Sequence, residues 1–174
     1  MRKMTNHQKN SALQRGAIAQ RGFTLIELLL VIAIIVALAV TVFVSLNPAL
    51  RLSQARDARR ISDVDTLLTA THEYIVDNGG AYPLGIATSS DSMIGTCVAV
   101  ATSTTSGGCN VLAGSACFNA ASSSLAPYLK TIPIDPLNGT ASVTDYTITI
   151  AASTSIVTIK ACGAEKIAEI WSSR

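Results

Sequence analysis

Residues Phe23 to Leu46, "FTLIELLLVIAIIVALAVTVFVSL", form a run of 24 residues that carries one charge, Glu27. About 20 apolar residues in a helix cross the hydrocarbon core of a bilayer. The core of a signal peptide needs only about 7–15, so the run predicts a membrane-spanning helix. Glu27 is the feature to explain. A charge at the centre of a membrane helix costs roughly 2.5–3.5 kcal/mol on insertion scales. Glu27 lies about one turn into the run, so either it rests at headgroup level in a simple signal anchor, or a partner neutralises it.

The flanks orient the helix. Arg2, Lys3, Lys9, Arg15 and Arg21 precede it with no accompanying acid, which keeps residues 1–22 cytoplasmic and exports the C-terminal portion. Arg51, Arg56, Arg59 and Arg60 follow, interleaved with Asp57, Asp63 and Asp65. The net charge of +2 is therefore unevenly placed: without residues 1–22, eight Lys/Arg face eleven Asp/Glu, a balance of −3. No basic domain advertises nucleic-acid binding. The exported part holds one histidine, His72, and neither a nucleophile motif nor clustered carboxylates, so an enzyme is not expected.

Beyond the apolar run, Leu50, Ala58, Ile61, Val64, Leu68 and Ile75 recur at spacings that give a helix one apolar face, with Arg56, Arg59, Arg60, Asp63 and Asp77 assigned elsewhere. Asn78-Gly79-Gly80 predicts the stop, because glycine accepts the left-handed cap conformation. The expectation is one helix from Phe23 to about Asp77, bent where Pro48 removes a backbone hydrogen bond. Residues 81–124 are Ser/Thr/Gly-rich and loop-dominated, and "SSLAPYLKTIP" suits a short helix capped by serine before Leu125. "DYTITIAA" and "TSIVTIKAC" alternate as strands of an antiparallel hairpin turning near Ser153; "AEKIAEIW" fits a short helix or a third strand. The fold class is α+β, a long N-terminal helix packed on a small antiparallel sheet head. Its divisions are 1–22 leader, 23–47 membrane helix, 48–78 amphipathic continuation and 79–174 head.

Cys97, Cys109, Cys117 and Cys162 all follow the apolar run. An even count in an exported Gly/Ser-rich region favours disulfides over free thiols. No Cys-x-x-Cys pair is present, and His7 and His72 lie in other segments, so zinc is disfavoured. Of three connectivities, Cys97–Cys109 with Cys117–Cys162 is preferred because the second would tie the loop to the sheet.

The string "RGFTLIELLLVIAII" resembles the processing signature of type IV pilins and the pseudopilins of type II secretion. The match runs through Gly22, Phe23, Thr24, Leu25, Ile26 and Glu27 without a gap, after a basic leader and before a long apolar helix. The resemblance implies that a prepilin peptidase cuts after Gly22, that the new N-terminal Phe23 is N-methylated, and that an inner-membrane platform assembles a homo-oligomeric helical filament. It also implies that Glu27 is the assembly residue, neutralising the amine of Phe23 on a neighbouring subunit; two buried opposite charges are each costly alone, and pairing offsets much of that cost.

A looser resemblance to the major pseudopilin head lies in Tyr82-Pro83 after the helix and in Pro133, Asp135-Pro136 and Tyr146 of "IPIDPLNG…DYTITI". In some such heads the loop binds calcium. Asp135, Asn138 and Asp145 are the candidate oxygen ligands here, with turn capping by Asp and Asn the competing use; no other cofactor is expected. The function implied is a subunit of a surface pilus for adhesion, twitching or DNA uptake. A pseudopilus is the alternative, and a signal-anchored binding domain the remote one.

Overall fold

The computed structural model describes residues 22–98, 106–111, 117–121 and 125–174. The basic leader up to Arg21 and the serine cap expected before Leu125 lie outside these residues. The chain divides into two compact units, residues up to Ser45 and Leu46–Arg174.

The first unit is helix α1, Leu25–Leu46, with no buried residue. Its start is capped by Thr24, whose Oγ1 accepts the Glu27 N–H at 3.3 Å, and whose carbonyl accepts Leu28 N–H at 3.2 Å. Thr24-x-x-Glu27 is a capping-box spacing, and it places the acid in the first turn, where the helix dipole favours negative charge.

Helix α2, Pro48–Asp77, opens the second unit. The single bent helix expected from the sequence is instead two helices, and Pro48 does not kink an interior. Asn47 adopts a left-handed conformation (φ 42°), its side chain accepts Leu50 N–H, and Pro48 takes the first helical turn, where a missing N–H costs nothing. The stop falls where glycine predicts it. Gly80 N–H reaches the Ile75 carbonyl and Gly79 N–H that of Val76, with Gly79 at φ 64°, a Schellman arrangement.

Among the described residues five strands form one sheet in the order β2-β1-β3-β4-β5. They are β1 Ser92–Gly95, β2 Cys117–Asn119, β3 Tyr146–Ile150, β4 Val157–Ala161 and β5 Ile170–Ser173. The expected hairpin is β3–β4, in antiparallel register Tyr146↔Ala161 to Ile150↔Val157. "AEKIAEIW" resolves to the third strand, β5, antiparallel to β4. The sheet is mixed because β1 and β2 pair in parallel. The short helix expected at "SSLAPYLKTIP" is a single turn, Leu129 N–H to the Leu125 carbonyl.

Period-two alternation explains the core. In β4, Val157, Ile159 and Ala161 point inward while Thr158 and Lys160 do not. The inner face joins Tyr146, Ile148, Ile94 and Phe118 to Val64, Leu67 and Leu68 of α2. A smaller cluster, Met93 and Val111 with Val143, lies apart from it. The apolar stripe assigned to α2 needs revision: Val64 and Leu68 are buried, Leu50 and Ile75 half-buried, but Ala58 and Ile61 are exposed. The buried face instead takes in Ser53, Asp57 and Arg60.

Candidate functional site

Two groups of residues carry chemistry. The first is the start of α1. Gly22 has no heavy atom within 4 Å of where a Cβ would stand, and its φ is not in the left-handed range. Among the described residues nothing crowds the position, so packing makes no demand for glycine there. Phe23 is 84% exposed. The Glu27 backbone is bonded to Thr24, and its carboxylate has no hydrogen-bond or ion-pair partner among the described residues. An exposed aromatic side chain, an unhindered glycine and a carboxylate without a partner among the described residues thus stand within six positions at the head of an apolar helix.

The second group is a buried charge cluster inside the head. Arg60 is wholly buried. Its Nε donates to Asp135 Oδ2 at 2.5 Å and its Nη2 to Asp135 Oδ1 at 3.2 Å. Its Nη1 donates to Asp57 Oδ1 at 2.8 Å and to Glu165 Oε2 at 3.2 Å. Arg56 makes a two-point contact with Glu165, 2.6 and 2.8 Å. Asp57 also accepts the backbone N–H groups of Glu165, Lys166 and Ile167. One arginine therefore joins α2 to the Asp135 loop and to the segment before β5.

The electrostatics follow from that bonding. Burial pushes the Asp135 carboxyl up, but the Arg60 guanidinium and the N–H groups of Asn138 and Leu137 pull it below the ordinary carboxylate range. Asp57 behaves alike: burial opposes ionisation, and the N–H groups of Lys166 and Glu165 together with Arg60 outweigh it. Asp145 goes the other way, raised by burial and then by the neighbouring charge of Asp135. A Cβ on Gly163 would stand 2.7 Å from Asp135 Oδ2 and 3.0 Å from Asp145 Oδ2, so only glycine fits between these carboxylates. Tyr146, buried under α2, donates its hydroxyl to Asp63 at 2.8 Å.

This geometry bears on the calcium candidates. Asp135 spends Oδ2 on Arg60 and Oδ1 on the N–H groups of Leu137 and Asn138, which is the turn-capping use with a guanidinium added. Asn138 itself is exposed. Arg60 already supplies Asp135 with the positive charge that a cation would bring.

The disulfides differ from the preferred pairing. Cys97 joins Cys117 and Cys109 joins Cys162, with Cα separations of 5.7 and 5.4 Å; Cys97–Cys109 and Cys117–Cys162 are not formed. The parallel pairing of β1 with β2 is the cause. It sets Met93 beside Cys117, and the chain turns back after β1 with Cys97 at φ 59°, which brings Cys97 to the start of β2. Tying the loop to the sheet falls to Cys109–Cys162 instead. The same loop is held by Asp91, which accepts Asn110 N–H at 2.7 Å and faces Lys160 Nζ at 3.2 Å.

Arg60, Asp57 and Glu165 escaped the sequence reading because charged residues are rarely buried. A signal was present. Positions 53, 57, 60, 64, 67 and 71 share one helical face, and the well-buried Val64 and Leu67 continue it.

Residues 18–43 match the family model of the prokaryotic N-terminal methylation motif, the prepilin-type signal of type IV pilins and pseudopilins. No curated protein and no solved structure matches the chain significantly.

Proposed function

We propose that this chain is the structural subunit of a type IV pilus-like filament serving adhesion, twitching motility or DNA uptake. It is made as a single-pass precursor in the cytoplasmic membrane. Prepilin peptidase cuts between Gly22 and Phe23, the new amine of Phe23 is methylated, and an inner-membrane platform passes the subunit into a cell-surface filament. The observation that carries this reading is the methylation motif over residues 18–43 running into α1, a 22-residue helix with no buried residue and with the length and apolar composition to cross a membrane. Such a surface must be covered first by lipid and then, outside the membrane, by copies of itself. Glu27 then neutralises the Phe23 amine of an adjacent subunit. The reading assigns the chain no catalysis.

A second reading, the major pseudopilin of a type II secretion system, is favoured by "IPIDPLNG", whose Asp135 organises its turn. Electron microscopy of cells with and without the chain separates the two. Surface fibres that vanish on deletion identify a pilin, and secretion lost without fibres identifies a pseudopilin. An uncut chain in cells with active prepilin peptidase removes both.

A further inference from the structure

Helix α2 is polarised in charge along its length. All four of its arginines, Arg51, Arg56, Arg59 and Arg60, lie in the N-terminal half, whereas Asp63, Asp65, Glu73 and Asp77 occupy the C-terminal half, which has no Lys or Arg and a single histidine, His72. Most of these charges are used within the head. Arg60 and Arg56 enter the buried cluster, Asp63 accepts from Tyr146 and Asp77 from Tyr128. The remainder is Arg51 and Arg59 at one end, and Asp65 and Glu73 at the other, all exposed. Arg51 touches only the neutral Gln54, and Arg59 has a 3.7 Å contact with Asp63, an exposed pair of little strength. Asp65 and Glu73 have no hydrogen-bond or ion-pair partner among the described residues.

The spacing of these four residues carries the argument. Arg51 and Arg59 are eight positions apart, and so are Asp65 and Glu73. Each arginine precedes its counterpart acid by fourteen positions, which is about 21 Å along a helix rising 1.5 Å per residue. One axial displacement therefore sets both opposite-charge pairs at matching heights. The same displacement carries Leu52, an apolar side chain 60% exposed, to the height of Thr66. Thr66 lines a shallow groove of about 560 Å³ with Ala58, Ser62 and Thr69, and the two acids stand on it. Ile61 and Tyr128 line it too, so the groove offers Leu52 an apolar surface beside the small side chains.

We infer that this groove receives the N-terminal half of α2 from a second copy of the chain, Arg51 meeting Asp65, Arg59 meeting Glu73 and Leu52 seated between them. The contact uses different patches on its two partners and carries an axial translation of about 21 Å, which prevents closure into a ring, so it propagates as an open helical filament. The inference rests on the filament reading above and gives the heads an electrostatic register in addition to that of Glu27.

The test uses the full chain in cells carrying the assembly machinery, with sheared filament as readout and membrane-retained monomer as control. Asp65→Arg and Arg51→Asp are each expected to lower filament yield about tenfold at unchanged monomer level, and the double variant to restore at least half of it. In a separate Arg51→Cys/Asp65→Cys chain, oxidised filaments are expected to give a ladder of covalent multimers. Within one chain these positions are about 21 Å apart, beyond the reach of a disulfide, so the ladder reports contact between copies. Full filament yield from both single reversals, single losses that the double variant leaves unrepaired, or oxidised filaments without a ladder would each overturn the inference. Wild-type chain that is processed but never polymerises would instead overturn the filament reading itself.

Discussion

Arg60 and Asp135, seventy-five positions apart in the chain, meet through two hydrogen bonds of 2.5 and 3.2 Å with both side chains wholly out of solvent. The pair fixes the Asp135 turn to α2, and through Asp57 and Glu165 the same guanidinium fixes the segment leading into β5. Removing one member of a buried pair leaves the others uncompensated, which typically costs about 3–5 kcal/mol. Arg60→Met is expected to destabilise the head by that order in denaturant unfolding. Arg60→Lys is expected to recover only part, since an ammonium cannot present the planar fork. Unchanged unfolding of Arg60→Met would show that the cluster is not structural.

The acids of the cluster predict opposite responses to pH. Asp57 and Asp135 are held below the carboxylate range, so their stabilisation is present above the unfolded pKa of about 3.9 and is lost as pH falls through their folded values. Asp145 is raised. Its ionisation in the folded state costs stability once pH climbs past the unfolded value, and the full cost is present above its folded pKa. Asp145→Asn, which tolerates the left-handed conformation at this position (φ 67°), is expected to raise Tm at pH 7, with the gain shrinking towards pH 4. A gain that grew on acidification would contradict the sign.

Disulfide connectivity is measurable by non-reducing peptide mapping. The linked fragments are expected to contain Cys97 with Cys117 and Cys109 with Cys162. The sequence separations of 20 and 53 correspond to about 3 and about 4 kcal/mol of stabilisation in the chain-entropy model. Loss of Cys109–Cys162 is therefore expected to lower Tm more. A Cys97–Cys109 fragment would refute the pairing.

Intact mass tests processing. A species lacking residues 1–22 is expected from the wild-type chain, and Gly22→Val is expected to accumulate as the 18.1 kDa precursor. Nothing crowds the position, so the variant head should unfold as the wild type does, and a folding defect would point to a cause other than cleavage.

Glu27→Gln and Glu27→Val are expected to be cut and to remain as membrane monomer with few or no filaments, read by immunoblot of sheared and membrane fractions. Neither should alter the Tm of the head, because Glu27 belongs to α1, in a compact unit separate from the head. Normal filament yield from Glu27→Val would remove the carboxylate from assembly.

Local pattern made much of this protein legible in advance. The apolar run Phe23–Leu46 contains α1, the glycines at 79 and 80 end α2, and alternation in Tyr146–Ile150 and Val157–Ala161 gives the β3–β4 hairpin. Each depends on hydrophobicity or backbone freedom within a few residues, so neighbours in sequence suffice to decide it. The break at Asn47 was half legible. Pro48 marked the place, but its harmless use at a helix start required Asn47 to turn left-handed.

By itself, then, the sequence determined the apolar run that becomes α1, the stop of α2 at its glycines, the alternation of β3 and β4, and the prepilin-type signal over residues 18–43. Only the tertiary structure decided that Arg60 is buried, that β1 and β2 run parallel, and that Cys97 takes Cys117. The physical reason is one of range. A solitary arginine reads as a surface residue, because burying its charge is unfavourable until acids arrive to pair it. Here Asp57 stands three positions away, but Asp135 and Glu165 come from 75 and 105 positions away. Cysteine pairing likewise follows the approach of backbones rather than spacing, and here that approach is set by the parallel pairing of β1 with β2, strands that no tight turn joins.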